Sequence, residues 1–502
     1  MSQPDRPDHG EGAPGATGTS HRWRHAFLLL TTSVLAGAIV FCIFTPRMAV
    51  WKGLHVPPAQ FNPEINRAAT TLKLLDDPFA DDVDLGLTNL GLAWRKFFPV
   101  LAHYLHFNET AFLAIPFVGC LLVLLLVSYT SWKETGNHWL SFLITLLTAA
   151  APWFFVSTGW LTYADSWWVL GLLIVSLAPS RAAIVVACLI TPWIDERFVV
   201  GLPLATVVRA ICLHGAQPKS LRRWWQDVAL VILPTAPYVV IRIVAVFGQD
   251  ATADHFTREW QRIGDATLWR FIEGWWSGYR AAWIFVVAFL VVAWRRRPRI
   301  TLLLAIPGVL LTSAAGLLIA ADMSRGLMML MPVVVAGCVL FLRLSPRYGI
   351  AAIYTTVLAN LFVLPFLTPL ITRPLFPDAT PGTGSHVLWY FKVPIHHIGT
   401  ELDQLKHPPD YVNPKYYFAY GNRAYDNDQP EEAILSFTYA ITLDPEYADG
   451  HFARGVVHWK IGETELASLD LRRAIDVGGP DWPQRAQCQH FLDTLGTRTS
   501  PE

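Results

Sequence analysis

A succession of long apolar runs limits this chain more than any other feature of its sequence. A bilayer span needs roughly 20 apolar residues, because only an internally hydrogen-bonded backbone is tolerated in hydrocarbon. Runs suited to this lie at 26–45, 110–131, 138–157, 163–178, 181–194, 198–213, 227–247, 280–294, 300–320, 326–342 and 350–371. The expectation is an all-α, polytopic membrane helical bundle of about eleven spans, occupying residues 26–372. The runs 163–178 and 181–194 are short, and Pro192 interrupts the second, so these are expected to be tilted or broken. Charged residues make up 16% of the chain, against about 25% in soluble domains. Lys+Arg and Asp+Glu are both 39. That balance excludes nucleic acid as an expected partner, since binding a phosphate backbone needs a basic excess.

Loop charges set the expected orientation. Residues 1–25 read as a cytoplasmic tail rich in Pro, Gly, Ser and Asp, with Arg22 and Arg24 ahead of the first run. No A-x-A site follows that run, so a retained span is favoured over a cleaved signal. Alternating loops then carry Lys133, Arg181, Lys219, Arg222, Arg223, Arg295–Arg297, Arg299, Arg343 and Arg347. The opposing loops carry Asp76, Asp77, Asp81, Asp82, Asp84, Asp165, Asp195, Glu196 and Asp322. The positive-inside rule then places the C-terminal tail outside; with no eukaryotic targeting signal evident, the expected membrane is a bacterial inner membrane and the outside its periplasm. Trp153, Trp160, Trp167 and Trp168 are expected in the headgroup belt. None of the six Cys forms a CxxC pair, which supports neither a zinc site nor a disulfide framework.

The tail changes character. After a linker at 373–412 rich in Pro, Gly and His, two 34-residue units occupy 413–480. The first has Tyr417, Tyr420, Gly421, Ala433, Phe437, Ala440 and Pro445; the second has Gly455, Ala467, Leu471 and Ala474 at equivalent offsets. This resembles tetratricopeptide (TPR) repeats, in which small residues let paired helices approach and large apolar ones fill the seam. His451 and Arg454 stand where apolar residues are expected. Residues 481–502 hold a capping helix near 482–495, on which so short an array is expected to lean.

Chemistry is expected on the outside. The loop 46–109 contains Asp76, Asp77, Asp82 and Asp84, followed by an amphipathic stretch from Leu85 to His106 able to lie in the interface. Carboxylates at headgroup depth suit the binding of a divalent cation (Mg or Mn) with substrate phosphates. They also suit taking a proton from an acceptor hydroxyl. The same residues fit a solvated acidic loop in which Asp82 or Asp84 caps the next helix. Asp195 and Glu196 sit between two apolar runs, where they either meet substrate or form a turn with Arg197. Arg325, in a very short loop beside Asp322, suits a phosphate through forked hydrogen bonds. Arg242 either snorkels or meets an anion, and Asp165 beside Tyr163 and its tryptophans suits a sugar. His103, His106, His396 and His397 show no ligand spacing and read as surface histidines.

Taken together, the layout resembles the C-type (GT-C) superfamily of integral-membrane glycosyltransferases. These have many spans, a long first outside loop bearing an essential acid and, in some members, outside TPR repeats. The resemblance implies a polyprenyl-phosphate sugar donor and Asp76, Asp77, Asp82 or Asp84 as the base. It further implies Asp195 or Glu196 as a second-loop acid, and a protein or glycan partner for the repeats. Two alternatives remain open: a ligase or polymerase of lipid-linked polysaccharide, using Arg258, Arg262 and Arg270, and a non-enzymatic membrane-anchored TPR scaffold.

Overall fold

The computed structural model describes residues 17–44, 63–79, 95–159, 162–213, 221–247, 268–319, 323–362, 414–426 and 428–498. Every element among them is helical. The chain divides into two compact units. The first comprises Met1–Phe44, Ala114–Thr158 and Ala164–Phe391; the second comprises Thr45–Leu113, Gly159–Tyr163 and Lys392–Glu502. Asp82, Asp84, Asp322, His396 and His397 lie outside the described residues, as does the linker at 373–412.

Among the described residues, five helices are long and apolar enough to cross a membrane: Trp23–Phe41, Glu109–Thr135, Trp225–Val244, Pro298–Leu318 and Ser324–Leu344. A sixth span is possible if His138–Ala149 and Pro152–Thr158, bent by 69°, count as one. Their outer faces are apolar: Leu233, Val240 and Val244 on one helix, and Leu303, Leu310 and Leu311 on another, are all exposed. Contiguous surfaces of that kind suit lipid better than water.

The expected count of about eleven spans is therefore not supported. Apolar runs at 163–178, 181–194, 198–213 and 280–294 fold into helices below the crossing length, and 363–371 of the last run lie outside the described residues. The Asp165–Leu177 helix explains why. Its 13 residues rise only about 20 Å, and it is buried on nearly every side. A helix apolar all round is as well suited to the interior of a bundle as to lipid. The helix expected to begin near Ala26 starts at Thr17, so the end of the predicted tail is helical.

The break at Ala150–Ala151 frees carbonyls that a buried chain has to satisfy. Trp153 Nε1 donates to the Thr148 carbonyl, and the buried Arg280 guanidinium donates to that of Ala150. Hydroxyls within the apolar helices are handled locally: Thr145 and Thr148 donate to carbonyls four residues back.

In the second unit, the Pro63–Asp76 and Phe97–Tyr104 helices are joined by a hydrogen bond between His103 Nδ1 and the Leu75 carbonyl. Lys96 Nζ donates to the Pro78 carbonyl. The C-terminal part has two helical hairpins, Pro414–Asp426 with Pro430–Leu443 and Ala448–Lys460 with Thr464–Gly478. Arg485–Arg498 follows, and its Cys488 and Leu495 pack on Ala467, Leu471 and Ala474. Gly421 faces the Phe437 ring so closely that an added Cβ would lie 2.6 Å from its Cε1. We expect Gly421→Ala to cost about 1–3 kcal/mol by forcing Phe437 off its seat. Thermal unfolding of the full-length protein, read by circular dichroism, would check this, and an unchanged melting curve would count against the packing described.

Candidate functional site

Three separate turns of the first unit meet at one cluster of charge. The first turn begins the Asp165–Leu177 helix. Its start is fixed by Ser166, whose N–H donates to Ser157 Oγ and whose hydroxyl donates to the Pro116 carbonyl. The second is the Thr191–Trp193 turn, after which the Asp195 N–H donates to the Thr191 carbonyl and the chain re-enters helix at Arg197. Gly171 lets the first helix approach this turn: a Cβ there would lie 2.6 Å from Thr191 Oγ1. The third is the one-turn helix Met323–Gly326, carrying Arg325.

Asp165 is 1% exposed and accepts three charge-assisted hydrogen bonds. Arg325 forks onto it, Nε to Oδ2 at 2.7 Å and Nη2 to Oδ1 at 2.7 Å. Arg197 Nη2 adds a third bond to Oδ1 at 2.8 Å. Arg197 also forks onto Asp195, Nε to Oδ1 at 2.7 Å and Nη2 to Oδ2 at 2.6 Å. Asp195 Oδ1 further accepts the Arg197 backbone N–H at 3.0 Å, tying the carboxylate to the start of the helix. The Arg197 guanidinium lies 4.9 Å from the centre of the Trp168 ring, which is fully buried. Two carboxylates thus neutralise two guanidiniums in a chain, Asp195–Arg197–Asp165–Arg325. Burying four charges is costly, and only dense mutual pairing offsets the loss of water.

The remaining sequence-predicted residues are placed differently. Asp76 ends its helix exposed, and the exposed Asp77 accepts the Phe79 N–H at 2.9 Å, a local turn contact. Glu196 and Arg242 are half-buried. Trp153 and Trp168 are interior residues, which corrects the headgroup-belt expectation for both. A Trp beside an apolar run signals burial against protein as readily as a seat at the bilayer surface. Arg197 was not among the predicted site residues, yet it is the link that joins the cluster. Its signal was a fixed positive charge opening an apolar run two residues after an Asp. Among the described residues, no three or more His, Cys, Asp and Glu side chains come together to hold a metal ion. The oxygens of Asp165 and Asp195 are committed to guanidinium donors.

Comparison with known proteins speaks to the tail first. The TPR repeat family matches residues 421–462. The tail carries a TPR repeat. A 90-residue stretch, 18% of the chain, is 32% identical to a UDP-N-acetylglucosamine--peptide N-acetylglucosaminyltransferase of Giardia intestinalis (strain ATCC 50803 / WB clone C6). The chain spans only 6% of that relative's length. No solved structure matches. The similarity to a glycosyltransferase is therefore partial, whereas the repeat, a module suited to protein–protein contact, is assigned to defined residues.

Proposed function

We propose that this chain is an integral-membrane glycosyltransferase of the C-type, taking a sugar from a polyprenyl-phosphate donor, with its TPR repeats recruiting the acceptor or a partner protein. The observation that carries the reading is the meeting of Asp165, Asp195, Arg197 and Arg325 from three turns in one unit. Two arginines beside the ends of apolar helices suit the phosphate of a lipid-linked donor. In this scheme a carboxylate takes the proton of the acceptor hydroxyl, and the four Asp→Asn variants below test whether Asp76, Asp77, Asp82 or Asp84 supplies it. The acceptor oxygen bonds to the anomeric carbon with inversion, as the bond to the lipid phosphate oxygen breaks. That oxygen keeps the electron pair, and Arg325 and Arg197 stabilise it. A divalent cation, if one takes part, would bind with the donor phosphate. Glu196 and Arg242 are assigned to the approach of the substrate, on the N-terminus-inside orientation read from loop charge.

A second reading, a membrane-anchored TPR scaffold, is favoured by one feature: the two carboxylates and two guanidiniums of the cluster pair with one another. Transfer assays on the full-length protein in nanodiscs, with a radiolabelled polyprenyl-phosphate sugar, separate the two. We expect Arg325→Gln and one of the four loop Asp→Asn changes each to lower kcat by roughly 100-fold or more. A scaffold transfers nothing in any variant and loses its cellular role only when residues 413–502 are removed.

A further inference from the structure

Asp165 is held by Arg325 and Arg197 in a way that other two-oxygen anions could match. It presents two oxygens to a two-pronged Arg325 fork and adds Arg197 on the same oxygen, an arrangement that a phosphate accepts equally well. The carboxylate sits on the first residue of the Asp165–Leu177 helix, where backbone N–H groups also favour an anion. Arg325 is the less buried of the two arginines, its side chain 11% exposed against 7% for Arg197, and it projects from a one-turn helix. Arg197 is held more firmly, by the Asp195 fork and the face of Trp168.

We propose that Asp165 is a resident counter-ion that a lipid-linked phosphate, a diester in the sugar donor and a monoester in the released carrier, displaces from Arg325. Arg197, anchored by Asp195, stays in place as the fixed half of the site, while Arg325 is the half that exchanges partner. The four paired charges thereby balance when the site is empty, and the ligand adds an anion. Asp165 accordingly weakens phosphate binding, and its removal strengthens it. The proposal rests on the glycosyltransferase reading for the identity of the phosphate, namely that of a lipid-linked sugar.

The test uses the full-length protein in nanodiscs, with farnesyl phosphate and, separately, inorganic phosphate as probes. Asp165→Asn keeps the shape of the side chain and removes its charge. We expect it to bind farnesyl phosphate about tenfold tighter than wild type, a change of about 1.4 kcal/mol. Arg325→Gln added to Asp165→Asn is expected to abolish the gain. Tighter binding of farnesyl phosphate alone identifies a lipid headgroup as the ligand, and an equal gain for inorganic phosphate identifies a free anion; either supports displacement. A folded Asp165→Asn protein that binds neither probe more tightly than wild type overturns the proposal. Should that variant fail to fold, the Arg325 Nε–H resonance of 15N-arginine-labelled wild type is followed on adding farnesyl phosphate. A shift supports exchange of partner, and an unmoved resonance overturns it. Sugar transfer without a gain in Asp165→Asn defeats the counter-ion role alone. A gain without any transfer defeats the enzyme reading alone.

Discussion

Arg197→Met is expected to destabilise the first unit by about 3–5 kcal/mol, the range seen when one partner of a buried ion pair is removed. The guanidinium now bonds to both Asp165 and Asp195. Without it, Asp195 loses its guanidinium fork but keeps the N–H of residue 197, and Asp165 loses one of its two arginines. The cluster is left with a net buried negative charge. Arg325→Met is expected to cost less, because Asp165 retains Arg197 and the site is nearer the surface. The sharper test is to replace all four members together with Leu and Met. That variant removes the charges in pairs, and we expect it to unfold within about 1 kcal/mol of wild type, or later. Unfolding in a graded denaturing detergent, read by Trp fluorescence, gives the comparison. A quadruple variant as unstable as Arg197→Met would show that the cluster stabilises the fold by more than mutual charge compensation.

That asymmetry bears on why such a cluster exists. A bundle built for stability alone has no need of four buried ions, since apolar side chains of similar volume do as well. What the pairs supply is geometry: the Asp195 fork fixes Arg197 in one rotamer, and Arg197 fixes one oxygen of Asp165. Preset positions of this kind suit ligand binding, where a misplaced charge loses most of its effect.

Parts of this were legible in the sequence and parts were not, for physical reasons. The repeats were legible because their signal is local and periodic: Gly421 against Phe437 and Gly455 against Leu471 recur at matching offsets, and each contact forms between adjacent helices. The number of crossing helices was not, because hydropathy reports only that a segment avoids water. The Asp165–Leu177 helix avoids it inside the bundle. Asp165, Asp195 and Arg325 stood out as charges beside apolar runs, but their meeting spans 160 residues of chain between Asp165 and Arg325, which no spacing rule reaches. Arg197 was passed over because, next to Glu196, it read as half of a turn.

The second large effect is expected in the TPR unit, where the seam of the second hairpin is charged. Asp470 is 4% exposed and faces the fork of Arg454, with Nε to Oδ2 at 2.8 Å and Nη2 to Oδ1 at 2.6 Å. His451 Nδ1 lies 3.7 Å and His458 Nε2 3.9 Å from the same carboxylate. Burial alone would raise the Asp470 pKa, but the hydrogen bonds and charge of Arg454, with His451 and His458 close by, outweigh it, so the carboxyl sits below its usual range. A carboxyl more acidic in the folded than in the unfolded state stabilises the fold above its unfolded pKa, about 3.9 for Asp. That contribution fades as pH falls through the lower, folded value. Arg454→Met is therefore expected to cost about 3 kcal/mol at pH 7, the low end for a buried pair because the arginine is partly exposed. The cost should hold steady down to about pH 5 and shrink below about pH 4, as wild type loses what the variant already lacks. Melting of the full-length chain, followed through Trp459 and Trp482 in this unit, would report it. Parallel loss of stability in both proteins across the whole acid range would mean that the arginine does not hold Asp470 ionised. The second repeat would then owe its seam to the packing of Gly455 on Leu471 and not to charge.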